Sequence, residues 1–164
     1  MMVKSERSNL KLFFQFVNKI TDTFAAFITL AIFFVVILQI VGRLIGYPAP
    51  WTEELTRFIF IWMIYLGIGI GFRKAESARV TLLIDYFPRF RKKLSVWIYS
   101  IATIGFFLFM IVQGVELMSQ QIRMNETSSV LLLPMWVIGI SIPVGAIIGI
   151  INTVQSLIYE RELL

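Results

Sequence analysis

Four long apolar stretches, broken only near their ends by charge, Pro or Gly, set the pattern of this chain at residues 20–46, 51–72, 94–115 and 134–159. A bilayer hydrocarbon core of about 30 Å takes roughly 20 helical residues, so each stretch is predicted to be a transmembrane helix. Between Arg57 and Arg73 lie only 15 uncharged residues. The second span must therefore begin near Trp51 and carry Glu53, Glu54 and Arg57 at or just below one interface. The first stretch is longer than a signal-peptide core and no small-residue cleavage site follows it, so it is expected to stay in place.

Two further segments read as surface-lying helices. In residues 8–22, Lys11, Gln15, Asn18, Lys19 and Asp22 recur at helical spacing opposite Leu10, Phe13, Phe14, Val17 and Ile20. Residues 80–93 mix Leu82, Leu83, Ile84, Phe87 and Phe90 with Arg89, Arg91, Lys92 and Lys93, a composition suited to headgroup depth and lipid anchoring. An ordinary loop is the other reading of that segment, and Pro88 is expected to divide it.

Composition agrees with the pattern: the chain is 58% hydrophobic and only 15% charged. It is an all-α integral membrane protein by this reading, one membrane domain over 1–164. Of its 15 Lys and Arg, all but Arg43, Arg57 and Arg123 fall before the first span, between the second and third, or after the fourth. The positive-inside rule then places both termini in the cytoplasm. Basic residues at span ends read as contacts to membrane lipids, which argues against nucleic acid as the partner of a chain with net charge +5.

Within the spans, Gly67 and Gly71 in the second and Gly145 and Gly149 in the fourth offer small surfaces for close helix packing, and Pro143 should kink the fourth. The sharpest cluster is Trp51, Glu53, Glu54 and Arg57. Glu53 and Glu54 lie four and three residues before Arg57, so both carboxylates can reach one guanidinium and make a structural or subunit-interface knot. Plain opposition of the acids to the helix dipole is the simpler alternative.

Chemistry is sparse elsewhere. There is no Cys and no His, and no phosphate loop, nucleophile elbow or metal-ligand cluster. Neither an enzyme nor a cofactor is expected. Spans one, three and four lack the midplane carboxylate of a coupled carrier.

Several motifs together resemble a known family. Trp51-Thr52-Glu53-Glu54-Leu55-Thr56-Arg57 leads to Trp62 and Gly67, then Gly71-Phe72-Arg73-Lys74 and Arg79-Val80-Thr81-Leu82-Leu83. Leu133-Pro134-Met135-Trp136 and Ile142-Pro143-Val144-Gly145 follow. This set resembles the small membrane subunit of tripartite ATP-independent periplasmic (TRAP) transporters over nearly the whole chain. Ser77 stands where members often carry His, so no role of that His is carried over. The resemblance implies a non-catalytic scaffold in a bacterial inner membrane, bound to a large multi-span subunit that moves substrate and sodium by an elevator motion. It also implies a periplasmic substrate-binding protein that delivers an organic acid, sialic acid favoured over a C4-dicarboxylate. The rival readings are a self-contained small four-helix carrier acting as a homodimer and a regulatory membrane protein without a transport partner.

Overall fold

The structure, a computed structural model, describes the backbone of residues 2–84 and 89–160 and the side chains of 11–73 and 97–157. Its helices are α1 (Met2–Leu44), α2 (Pro50–Ile84), α3 (Arg89–Arg123), the short α4 (Trp136–Gly139) and α5 (Ser141–Glu160). Among the described residues, four segments are long and apolar enough to cross a membrane: Lys11–Leu44, Pro50–Arg73, Trp97–Arg123 and Trp136–Leu157. The chain is an all-α membrane protein, with one isolated bridge, Thr127 to Pro134, outside the helices.

Residues 8–22 and 20–46, expected as a surface helix followed by a span, are one uninterrupted helix as far as Leu44. The local chemistry explains this continuity. No Gly or Pro occurs before Gly42. The hydroxyls of Thr21, Thr23 and Thr29 donate to carbonyls four residues back at 2.7–2.8 Å, which spends their polarity inside the helix. The stripe Phe14, Thr21, Ile28 and Val35, spaced by seven, is buried. A period of seven keeps one narrow seam against a partner helix, here α2.

Both long helices that end at the loop end of the bundle stop in the same way. Gly46 has φ 77°, Tyr47 N–H donates to the Gly42 carbonyl at 2.9 Å and Gly46 N–H to Arg43 at 3.3 Å. That is a Schellman closure, in which glycine takes the left-handed position. At the end of α3, Asn125 does the same at φ 48°, with Glu126 N–H on Gln121 and Asn125 N–H on Ile122. Pro50 then opens α2, where its missing N–H is no loss.

The helices form a row rather than a closed bundle: α1 packs on α2, α2 on α5 and α5 on α3, with little contact between α2 and α3. Phe107 of α3 is fully buried at the inner junction. Its ring meets Phe72 of α2 edge-on at 4.9 Å, and it occupies the space a side chain at Gly149 of α5 would need. The fourth apolar stretch is interrupted at Ile140. Pro143, three residues on, has no N–H to give to the Gly139 carbonyl.

Candidate functional site

At the loop end, the first turn of α2 holds Glu53 and Glu54 against two different partners. Glu53 pairs with Arg43 at the end of α1. Glu54 turns instead to the α3–α4 loop, accepting the N–H groups of Ser129 and Val130 at 3.0 Å and of Leu131 at 2.7 Å. Three successive amides converging on one carboxylate form an anion-holding concavity made of backbone alone. The loop is folded to present them. Ser128 N–H bonds the Leu133 carbonyl at 2.9 Å, the Ser128 hydroxyl accepts from Leu133 N–H at 3.1 Å, and Met135 N–H bonds Glu126 at 2.9 Å. Leu132 takes a left-handed backbone at φ 54° to close the tip.

Within this chain the two acids of the expected cluster are held by partners other than Arg57. Spacing along α2 permits Arg57 to reach both acids, but Arg43 and the loop amides hold them, and Arg57 is exposed and forms no ion pair or hydrogen bond among the described residues. Trp51 is 42% exposed beside them. Thr52, almost fully buried, carries the local structure: its N–H and hydroxyl both donate to the Ala49 carbonyl, at 3.0 and 2.7 Å.

The opposite end of the row is tied by polar side chains whose pairing spacing along the chain does not reveal. Arg73 of α2 pairs with Asp22 of α1 at 2.6 Å, and Asn18 donates to Gln155 of α5 at 2.9 Å. Between them Asn152 of α5 donates to the Gly69 carbonyl of α2 at 2.7 Å within the buried interface. Only a three-dimensional neighbour exposes that pairing, because a carbonyl in mid-helix has no signal in sequence.

Close packing follows the glycines unevenly. A Cβ on Gly69 would stand 2.8 Å from the Gly145 carbonyl, and one on Gly145 2.5 Å from that of Tyr65. Pro143 lies against Gly114, whose added Cβ would come within 2.8 Å of its ring. Gly67 and Gly71, however, have nothing within 4 Å. The close approach within this chain therefore belongs to Gly69, one half-turn away. Arg89, Arg91, Lys92 and Lys93 lie outside the described side chains, as does the Arg79–Leu83 motif.

Residues 32–162 match the family described as "Tripartite ATP-independent periplasmic transporters, DctQ component". The chain is similar to the "Isethionate TRAP transporter permease protein DctMQ" of Oleidesulfovibrio alaskensis, 30% identical over 78% of this chain and 21% of that one. It is also similar to the "Sialic acid TRAP transporter small permease protein SiaQ" of Vibrio cholerae, 26% identical over 94% of this chain and 89% of the other. A third relative, the "C4-dicarboxylate TRAP transporter small permease protein DctQ" of Rhodobacter capsulatus, is 25% identical over 62% of this chain and 44% of its own. The chain thus spans about a fifth of the isethionate permease and less than half of the dicarboxylate protein.

Proposed function

This chain belongs to the DctQ-component family of TRAP transporters as a small permease subunit, and we propose that it scaffolds a large transport subunit rather than carrying solute itself. One observation carries this reading: among the described residues no charged side chain is buried. Buried polar groups such as Thr21, Thr153 and Ser141 are neutral hydroxyls that donate to carbonyls of their own helix or the turn before it. A site for an organic anion and its coupling cations needs charge or converging free dipoles near the midplane, and those belong to another subunit. The isethionate relative supports this, since the region it shares with this chain is a small part of a longer permease. The remainder of such a permease is the chemistry a separate large subunit would supply here.

The assembly is a sodium-coupled uptake system of a bacterial inner membrane, served by a periplasmic binding protein, with both termini of this chain cytoplasmic by the distribution of Lys and Arg. Arg89, Arg91, Lys92 and Lys93 anchor the start of α3 to anionic headgroups. Its solute is an organic acid, with sialic acid first and isethionate and C4-dicarboxylate next, in keeping with the relatives' names.

Proteoliposomes with an imposed sodium gradient test the division of labour. This chain alone should show no uptake of labelled sialic acid, isethionate or succinate, and adding the large subunit and binding protein should restore it for one of them. Saturable uptake by this chain alone, lost when the gradient is collapsed, would overturn the scaffold reading in favour of a homodimeric carrier.

A further inference from the structure

Glu53, Arg57, Phe60, Ile64, Gly67 and Gly71 of α2 are all exposed, and their spacing of four, three, four, three and four keeps them on one face of the helix. The residues that meet α1 and α5, among them Trp62, Tyr65, Gly69 and Arg73, lie on the other side. Among the described residues the stripe is exposed, apart from the pairing of Glu53 with Arg43 at its outer end, yet its composition is unlike a lipid-facing one. Each glycine in a helix interior costs about 1 kcal/mol relative to alanine, and Gly67 and Gly71 bring no neighbour closer within the chain. At the other end stands Arg57, seven residues into the span and about 10 Å along the axis from Pro50. With Arg43 and Glu53 engaged together and Glu54 turned onto the loop, Arg57, at the edge of the hydrocarbon, feels Glu53 only at longer range and has no hydrogen-bonded or ion-paired partner among the described residues. Such cations in a span are expected to face protein and to be paired.

Building on the scaffold reading, we propose that this face of α2 receives a transmembrane helix of the large subunit, bearing a carboxylate level with Arg57 and packing closely over Gly67 and Gly71. Charge selects the occupant: a second copy of this face would set Arg57 against another arginine in a parallel pairing. A backbone crossing at the glycines needs small residues on one side only, and the ion pair above fixes its depth and register.

The test uses this chain co-expressed with its large subunit and recovered by a tag on this chain. Arg57→Leu and the double variant Gly67→Ile/Gly71→Ile should each lower the recovered large subunit about tenfold or more, the loss expected when a pairing of at least 1.4 kcal/mol is removed. Arg57→Lys should retain most of it. Gly105→Ile serves as control, since Gly105 is also exposed with nothing within 4 Å. Monodispersity and thermal unfolding of each variant alone, unchanged from the parent, keep the loss from being a folding defect. A cysteine at Gly71 should cross-link to the large subunit. Equal recovery in both variants overturns this docking face while leaving the scaffold reading intact, whereas no recovery with the parent chain overturns both. Cross-linking of Gly71→Cys between two copies of this chain in preference to the large subunit identifies a homodimer face and also overturns the proposal. So does binding that survives Arg57→Leu but disappears when nanodiscs of phosphatidylglycerol are replaced by phosphatidylcholine, which would assign Arg57 to a lipid phosphate.

Discussion

Glu54 shows how a single side chain can organise a loop that has no regular structure. Its two oxygens collect three consecutive N–H groups from residues 129–131, groups that find no backbone carbonyl partner in the loop. Glu54→Gln keeps one acceptor and introduces an NH₂ that cannot accept, so at least one of those amides loses its partner. Hydrogen exchange should quicken at Ser129, Val130 and Leu131 in that variant, and Glu53→Gln, whose partners Arg43 and Gln39 lie on α1 and not on the loop, should leave them as they are. Equal protection in the two variants would show that the loop holds itself. This pairing could not be read from the chain. The i to i+3 rule connects Glu54 to Arg57, and the competing partner is backbone 75 to 77 residues away, with no side-chain signature.

At the scale of the element, α5 is the helix on which the others depend, because it packs on α2 with one side and on α3 with another. Gly145 and Gly149 let that happen by leaving room for the Tyr65 carbonyl and the Phe107 ring. Phe107→Ala should destabilise the protein by about 3 kcal/mol, as truncation of a fully buried aromatic does, read from unfolding in mixed detergent micelles. Gly69→Leu should also be strongly destabilising, for its side chain would enter the α5 backbone. Gly67→Leu, on the open face two residues away, should unfold like the parent. Equal effects at 67 and 69 would contradict the assigned faces. The sequence pointed to glycines in the right helices, but three alternating glycines in α2 carry no mark of which one meets a neighbour. The rotation of α2 about its axis decides that, and α1 and α5 together set the rotation.

For the whole molecule, the row of helices offers two broad sides and little enclosed interior, an arrangement suited to bracing another protein. Large apolar side chains along α1, including Phe16, Phe27, Leu30 and Phe34, are more than half exposed, consistent with helices whose solvent is lipid. The topology is open to direct test because the chain has no cysteine. Single cysteines at 5, 92 and 162 should label from the cytoplasm only, and those at 48 and 128 from outside. External labelling at 92 would invert the orientation derived from the basic residues.

The amino-acid sequence by itself determined that this is a four-span helical membrane protein and which family it joins. Those properties follow from local quantities: hydropathy summed over about 20 residues, the left-handed preference of Gly46, the missing N–H of Pro50, and motifs that need no fold to be recognised. Tertiary structure alone decided that Arg43 and not Arg57 pairs with Glu53, and that Gly69 rather than Gly67 or Gly71 meets α5. Each of these turns on which of several sterically equivalent partners stands nearest in space. Local chemistry leaves that choice open until the helices have packed, and packing then leaves Arg57 and its glycines facing outward.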